Sequence, residues 1–184
     1  MFCWPGFDFV KAELKNFQGN YLEIGVFNGD SLKQLAEQYP DKLLVGIDPF
    51  IEDGNTGHTS NVGRGQHMPV QKENTLNNLA GLDNVYLYEM TSEEFYERLT
   101  DDVNEQLDIS GVLIDGSHWY DDVKIDVKLA LKLIGNKPGF IIFDDLHMEE
   151  VRRPYLEFCE EHKNIIRSQT ILIDNNTVIG VVIN

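Results

Sequence analysis

The chain has 184 residues and a formal net charge of −16, with 31 acidic residues against 15 lysines and arginines. This length is typical of one domain with its own core, and the charge disfavours nucleic acids and anionic membrane surfaces as partners. The apolar runs are too short for a membrane-spanning helix, and Cys3 and Cys159 are too few for a disulfide framework. We therefore expect a cytoplasmic protein with a single domain over residues 1–184.

Aromatic residues crowd the N-terminal segment 1–19, which also carries a helical pattern from Asp8 to Asn16. They either pack on the sheet or cap the mouth of a site. Packing is the simpler interpretation, because aromatic burial dominates core energetics. The residues concerned are Phe2, Trp4, Phe7 and Phe9.

The stretch 21–30 predicts a strand that turns into a helix through Gly25 and Gly29, with Asp30 as the N-cap of that helix. Glycine tolerates positive φ and lets a ligand approach the backbone, and the N-terminus of the following helix offers N–H groups to that ligand. A second apolar run, 42–50, contains Asp48 near its end, where doubly wound folds commonly hold ribose hydroxyls. This pattern predicts a half-fold that binds a nucleoside-like cofactor.

The segment 51–68 is irregular and contains four glycines together with His58 and His67. A loop of this length in a compact domain is either a functional lid or a disordered insertion, and both interpretations stay open. The spacing of nine residues between the histidines matches no standard metal-ligand pattern, so a metal site there is disfavoured.

Beyond this loop, helical and strand patterns alternate. A helix over 70–79 precedes a strand over 85–90, after which Thr91 and Ser92 either cap the next helix or contact an adenine. Further strands are expected at 110–115 and 140–145, with helices from 121 and 148. The chain ends in two β-rich runs joined by a turn at 175–176. The elements predict an α/β, doubly wound, mostly parallel sheet of seven strands that ends in an antiparallel hairpin.

Three aspartates follow neighbouring predicted strands: Asp115 after one, and Asp144 and Asp145 after the next. In a parallel sheet these strand ends lie on the same edge as the glycine turn. Clustered carboxylates favour a hard divalent cation such as Mg²⁺, Mn²⁺ or Ca²⁺. The alternative is that Asp115 makes a turn and Asp145 caps a helix with no metal bound, and both interpretations stay open.

His118 lies three residues after Asp115, on the turn that faces the same edge. Its imidazole could act as a general base towards a hydroxyl, since it titrates near neutrality, or it could be a further metal ligand. It could also be a surface residue that only makes hydrogen bonds. The residues alone leave these three roles open.

Four segments carry a family resemblance in this order: 23–29, 114–120, 137–139 and 143–145. From Tyr21 to the C-terminus the chain resembles the class I S-adenosylmethionine-dependent methyltransferases, specifically the family that contains macrocin-type sugar O-methyltransferases and cephalosporin-hydroxylase-like proteins. The glycine motif alone is weak. Its combination with the Asp-Gly-Ser-His turn and the Asp-Asp strand end is fairly specific.

The resemblance implies a Rossmann-like O-methyltransferase that uses S-adenosylmethionine and Mg²⁺ on a hydroxyl of a small molecule or sugar. The implied cofactor-binding residues are Glu23, Gly25 and Gly29 at the methionine part, Asp48 at the ribose, and Thr91 or Ser92 at the adenine. The implied metal ligands are Asp115, Asp144 and Asp145, and His118 matches the position of the base in some of these enzymes.

Two positions depart from the family pattern. Ser117 stands where other members carry an acid, which leaves the identity of the base open. Phe140 replaces the second glycine of a Lys-Pro-Gly-Gly turn, which is interpreted as a change in packing.

Two other functions compete with methyl transfer. A nicotinamide-dependent oxidoreductase could use the same sheet, but the spacing of Gly25 and Gly29 lacks the G-x-G-x-x-G arrangement. A non-catalytic cofactor-binding protein is suggested by Ser117. The sequence names neither the methyl acceptor nor the oligomeric state, and a homo-oligomer stays open.

Overall fold

The computed structural model describes residues 6–50, 68–172 and 178–184. The strands in these ranges are β1 Asn20–Ile24, β2 Leu44–Ile47, β3 Val85–Tyr88, β4 Ile109–Ile114, β5 Gly139–Phe143, β6 Ile166–Ile171 and β7 Ile179–Ile183. The helices there are α1 Phe7–Asn16, α2 Asp30–Gln38, α3 Met68–Leu79, α4 Ser92–Arg98, α5 Asp101–Leu107, α6 Tyr120–Ile134 and α7 Glu149–Glu161. The predicted lid, apart from Met68, lies outside the described residues, as do both of its histidines and the turn at 175–176.

The strands form one sheet in the order β3-β2-β1-β4-β5-β7-β6. Strands β1 to β5 pair in parallel, and β7 lies antiparallel between β5 and β6. Strands β2, β4 and β5 are buried along their whole length, which explains why they read as continuous apolar runs. The predicted fold, doubly wound and mostly parallel with an antiparallel C-terminal pair, is confirmed.

The strand order reverses between β1 and β4, because the chain passes from β1 outward to β2 and β3 and then returns to β4. In doubly wound sheets the crevice at the carboxyl ends of such strands is where ligands bind. Helices cover both faces of the sheet. One apolar layer includes Val127 and Phe158 from α6 and α7, and the other includes Leu14 and Leu32 from α1 and α2. No helix within the described ranges is both long and apolar enough to cross a bilayer.

Phe140 is fully buried and fills the layer under α1. Its ring centroid lies 6.0 Å from that of Phe9 in an edge-on arrangement, and 5.9 Å and 6.3 Å from those of Phe17 and Tyr21 in stacked arrangements. Phe9 therefore packs on the sheet, as the simpler interpretation of the N-terminal aromatics predicts. Phe140, the departure from the family turn, likewise has a packing role. Phe2 and Trp4 lie outside the described residues.

Gly111 on β4 makes room for the Phe140 ring. A Cβ at this position would lie 2.2 Å from Phe140 Cζ. We expect Gly111→Ala to lower the free energy of unfolding by about 2–3 kcal/mol, because the ring has no space to retreat in a filled core. Urea denaturation measures this loss. Adding Phe140→Leu should recover part of it, and equal stability of Gly111→Ala and the parent would contradict the packing.

Two helix caps differ from the sequence prediction, and one further helix was not predicted. Helix α2 was expected to be capped by Asp30, but Gly29, in a left-handed conformation, is its N-cap and Asp30 is its first residue. Helix α4 was expected to be capped by Ser92, but Thr91 is the cap and forms a capping box with Glu94. Helix α5 was not predicted at all, although Thr100 caps it in the usual way.

Candidate active site

The glycine turn and the loop after β4 lie directly against each other. A Cβ on Gly25 would come within 2.0 Å of the Asp115 carbonyl oxygen and 2.8 Å of Gly116 Cα. Gly25 and Gly29 have φ values of 86° and 75°, as predicted for this turn. Glycine is thus needed at position 25 for contact within the chain as well as for its backbone conformation. The two predicted halves of the site share one rim of the sheet.

Phe27 lies between the two glycines and also has positive φ, at 51°. Its side chain is 50% exposed on this rim. Non-glycine residues rarely adopt such a conformation and need support from their surroundings. Part of that support is a hydrogen bond from the Thr75 hydroxyl of α3 to the Phe27 carbonyl.

Asp48 stabilises the glycine turn by accepting hydrogen bonds from its backbone. Its Oδ2 accepts hydrogen bonds from the N–H groups of Val26 at 2.9 Å and Phe27 at 3.1 Å, and its Oδ1 accepts one from Phe50 at 2.8 Å. Burial raises the pKa of Asp48, and these backbone hydrogen bonds act in the opposite direction. Since a carboxylate oxygen can accept two hydrogen bonds, Oδ1 has capacity for one more. The ribose role of Asp48 stays a prediction, and its bracing role was not foreseen.

Glu23 is a buried acid at the end of β1, with 2% exposure. The Ser31 hydroxyl of α2 lies 2.6 Å and 2.7 Å from its two carboxylate oxygens and donates to them. Burial raises the pKa of Glu23 to about 8, with a hydrogen bond from Ser31 lowering it and the charge of Asp48 raising it. Among the described residues no cationic side chain pairs with Glu23, so this buried acid is suited to bind a cationic group of a ligand. The sequence singled out Glu23 but not Ser31.

At the predicted adenine contact, Thr91 rather than Ser92 caps helix α4. The Thr91 hydroxyl accepts a hydrogen bond from the Glu94 N–H at 3.1 Å, and this contact is part of the helix cap. The Ser92 hydroxyl acts on the carboxyl group of Asp126 in α6 and lowers its pKa. Contact of either residue with adenine stays a prediction.

Asp126 is a third buried acid besides Glu23 and Asp48, 1% exposed, which the sequence did not reveal. Neither of its carboxylate oxygens makes a hydrogen bond of good geometry. Burial raises its pKa to about 7, Ser92 opposes this and the charge of Asp122 adds to it. Its Oδ2 would lie 3.8 Å from a Cβ on Gly116, so this carboxyl group is next to the loop that follows Asp115.

A mixed cluster of Asp115, His118 and Asp145 lies at the carboxyl ends of β4 and β5. Each residue offers one ligand atom, and these atoms lie within 4.8 Å of one another. His118 Nε2 is 2.9 Å from Asp145 Oδ2. His147 Nδ1 approaches the other oxygen of Asp145 at 3.5 Å. The sequence analysis missed His147, although its position two residues after Asp145 was a usable signal.

Asp144 is not part of this group of three. Its Oδ1 accepts a hydrogen bond from the Asp145 N–H at 2.7 Å, and Asp145 has a φ of 54°. Burial is the largest cause of the raised pKa of Asp115. The negative charges of Asp144, Glu23 and Asp145 raise it further. These acids therefore repel one another electrostatically, and their oxygens with an imidazole nitrogen form a donor set that fits a divalent cation.

Ser117 does not extend the acidic cluster. Its hydroxyl donates a 2.5 Å hydrogen bond to Asp122 Oδ2 on α6, which fixes the turn internally. A hydroxyl has no basicity comparable to that of the acid found at this position in the family. Within this loop the imidazole of His118 is a side chain that can accept a proton.

Comparison with known families identifies the class of protein. The family described as "Methyltransferase domain" matches residues 22–146. The chain belongs to this methyltransferase family. Together with the order of the described strands, this confirms the predicted family, the class I S-adenosylmethionine-dependent methyltransferases.

One similar protein is viral and matches part of this chain. Uncharacterized protein R132 of Acanthamoeba polyphaga mimivirus is 31% identical over 125 residues, which cover 68% of this chain and 50% of that protein. The chain thus matches half the length of this relative.

Among the solved structures that share the fold are two of one methyltransferase and one of a second protein. The calicheamicin methyltransferase CalS11 has a TM-score of 0.68 at 16% identity, with 96% of this chain and 76% of that chain covered. A putative caffeoyl-CoA O-methyltransferase from Staphylococcus aureus has a TM-score of 0.68 at 16% identity, with 100% and 85% covered. A second structure of CalS11 describes it as a TDP-rhamnose 3′-O-methyltransferase.

Proposed function

We propose that this methyltransferase transfers the methyl group of S-adenosylmethionine to a hydroxyl oxygen of a small molecule or sugar, assisted by Mg²⁺ or a similar divalent cation. The observation that carries the proposal is the direct contact between the glycine turn and the loop that holds Asp115. This contact supports the proposal because it puts the residues proposed for the cofactor next to those proposed for the cation, as methyl transfer to a held hydroxyl requires.

Glu23 is the residue for the cofactor's ammonium group. Its carboxylate is oriented by the Ser31 hydroxyl, with oxygen–oxygen distances of 2.6 Å and 2.7 Å. Asp48 holds the turn and has capacity for a ribose hydroxyl at Oδ1. These side chains position the cofactor and take no part in bond making.

Asp115 and Asp145 are the residues for the cation, and Asp144 completes the acidic surroundings. When bound, S-adenosylmethionine supplies the methyl group and the cation lowers the pKa of the acceptor hydroxyl. His118 takes the hydroxyl proton; its Nε2 lies 2.9 Å from Asp145 Oδ2 and carries the hydrogen of that contact, which leaves Nδ1 as the nitrogen that accepts. The roles follow from ordinary acid–base chemistry, since the sulfonium is already a good leaving group.

A hydroxylated small molecule is the favoured acceptor class. The net charge of −16 disfavours polyanions. Two fold neighbours are described as O-methyltransferases, one of them for a nucleotide sugar. A vicinal diol on a sugar or catechol would offer a second oxygen to the cation.

The test is isothermal titration calorimetry with S-adenosylhomocysteine, with and without Mg²⁺. We expect saturable one-to-one binding, and no binding of NADH to the same protein. The absence of S-adenosylhomocysteine binding at about 1 mM, the weak limit of specific recognition, would remove the cofactor assignment. A panel of vicinal diols with labelled S-adenosylmethionine then identifies the acceptor by transfer of the label.

A further inference from the structure

A cluster of four side chains joins the start of α6 to the middle of α7, and we call it the α6–α7 clamp. It consists of Tyr120 and Lys124 on α6, and Arg153 and Glu157 on α7. The Tyr120 hydroxyl donates to Glu157, with oxygen–oxygen distances of 2.7 Å and 2.9 Å. Lys124 Nζ donates to Glu157 Oε2 at 2.9 Å. The Arg153 guanidinium lies 4.5 Å from the centre of the Tyr120 ring.

The clamp connects the two segments that hold the acid–histidine cluster. Tyr120 is the first residue of α6 and follows His118 by two positions. Helix α7 begins at Glu149, shortly after Asp145. These helices therefore continue the segments that carry His118 and Asp145, whose Nε2 and Oδ2 atoms lie 2.9 Å apart.

The segments that carry His118 and Asp145 extend beyond the last backbone hydrogen bonds of the sheet. Sheet hydrogen bonds reach the N–H groups of Asp115 and Asp144, which donate to Ile24 and Ile114 at 3.0 Å and 3.1 Å. Asp145 follows with a left-handed φ of 54°, a conformation that aspartate adopts more readily than most non-glycine residues. The two loops then lead into α6 and α7.

The charge state of the clamp suits this task. Hydrogen bonds from Lys124 and then Tyr120 lower the pKa of Glu157, so it stays ionised. Tyr120 and Lys124 are one helical turn apart, so a single acceptor on α7 fixes the direction of the first turn of α6.

We propose that Tyr120 is a positioning residue that, by bonding to Glu157, holds the loop of Asp115 and His118 in place relative to Asp145 and so sets the geometry of the cation site formed by the two aspartates. The proposal rests on the function proposed above, since it assumes that this site binds a cation. It assigns no contact between Tyr120 and the cofactor, the cation or the acceptor.

Tyr120→Phe tests this because it removes the hydroxyl and leaves the ring under Arg153. Mn²⁺ affinity is measured from the paramagnetic resonance of the free ion, and S-adenosylhomocysteine affinity by calorimetry. We expect Mn²⁺ to bind about five-fold more weakly, in line with the loss of a hydrogen bond to a charged group. S-adenosylhomocysteine affinity should stay within about two-fold of the parent value, because Glu23 and Asp48 do not depend on α7.

Tyr155→Phe is the matched control. The Tyr155 hydroxyl also lies on α7 but bonds to Gln169 of β6 at 3.2 Å, away from α6. It should leave Mn²⁺ affinity unchanged. Glu157→Ala is a second variant, and combining it with Tyr120→Phe should weaken Mn²⁺ binding no further than Glu157→Ala alone.

Three outcomes separate the hypotheses. Parent protein that binds S-adenosylhomocysteine but no Mn²⁺ would overturn the cation part of the proposed function, and the clamp proposal with it. Parent protein that binds Mn²⁺, with Tyr120→Phe binding it equally well, would overturn the clamp proposal alone. A parallel loss of Mn²⁺ affinity, S-adenosylhomocysteine affinity and thermal stability in Tyr120→Phe would show a merely structural role and would also overturn it.

Discussion

Glu23→Gln is expected to weaken S-adenosylhomocysteine binding roughly 100-fold at pH 8, which corresponds to about 3 kcal/mol. Glu23 is buried, and its described polar partner is the neutral hydroxyl of Ser31. The ligand's ammonium group would give this carboxylate the positive partner that it lacks. Glutamine keeps the shape and an acceptor oxygen but carries no charge.

The same binding is expected to release a proton. Because burial raises the pKa of Glu23 to about 8, the free protein holds it mostly protonated at pH 7, and the ammonium group would ionise it. Affinity should therefore rise with pH up to about 8 and then level off. Calorimetry in buffers of different ionisation enthalpy measures the proton, and we expect close to one proton per ligand at pH 7.

Protein stability should depend on pH through the same group. Unfolded Glu23 ionises near 4.5 and folded Glu23 near 8, so the folded state binds more protons between these values. The contribution of Glu23 to the free energy of unfolding, a few kcal/mol at most, is fully present below pH 4.5 and is lost as pH rises through about 8. In urea denaturation, the free energy of unfolding of Glu23→Gln relative to that of the parent should therefore increase between pH 5 and pH 8. Glu37→Gln, which changes an exposed glutamate of α2, should show no such increase.

5′-Methylthioadenosine provides the ligand control, since it lacks the amino acid part. Its affinity should be nearly independent of pH and nearly unaffected by Glu23→Gln. Equal losses for both ligands would assign Glu23 to a general structural role rather than to the ammonium group.

The fold was predictable because its strongest signals are local. Strands β2, β4 and β5 are buried on both faces, and this burial produces apolar runs that are visible in the sequence. Helix α5 was missed because only Leu107 in it is buried, so it has no apolar stripe to reveal it. Its signal was Thr100, a cap residue that bonds to the N–H of Val103.

The site was predictable only in part. Strand ends place Asp115, Asp144 and Asp145 near one another in any parallel sheet, so their proximity follows from the order of the strands. Which of their carboxylates turns towards His118 depends on the left-handed backbone at Asp145, and no sequence pattern indicates that conformation.

The sequence also did not reveal the contacts that the proposed cofactor-binding residues make within the chain. Asp48 accepts two N–H groups of the glycine turn, and Ser31 orients Glu23. Asp126 is buried among residues far from it in sequence, next to Gly116. These contacts join residues across the chain, whereas a linear pattern reports only on near neighbours.

Asp115→Asn is expected to stabilise the protein in EDTA while weakening its binding of divalent cations. Burial and the charges of neighbouring acids raise the pKa of Asp115, so its ionised form is disfavoured in the metal-free protein. Each kcal/mol of relieved repulsion should raise the melting temperature by about 2–4 °C for a domain of this size. Mn²⁺ should bind about 10- to 100-fold more weakly, because asparagine keeps an oxygen but loses the charge.

The sign of the pH effect follows from the raised pKa of Asp115. Between the ordinary pKa of an aspartate and this raised value, the folded metal-free protein holds a proton that the unfolded chain has released, so stability falls as pH rises. Asp115→Asn should flatten this part of the profile. Cations compete with the same proton, so Mn²⁺ affinity of the parent should rise over this window.

Asp121→Asn is the control, because it makes the same change of charge at an exposed position in the first turn of α6. It should neither raise the melting temperature in EDTA nor reduce the stabilisation that Mg²⁺ gives to the parent. Thermal melts in EDTA and in Mg²⁺ measure both effects. If Mg²⁺ stabilised Asp115→Asn as strongly as the parent, the cation would bind elsewhere and Asp115 would only shape the turn after β4, the alternative that its position in the sequence also allows.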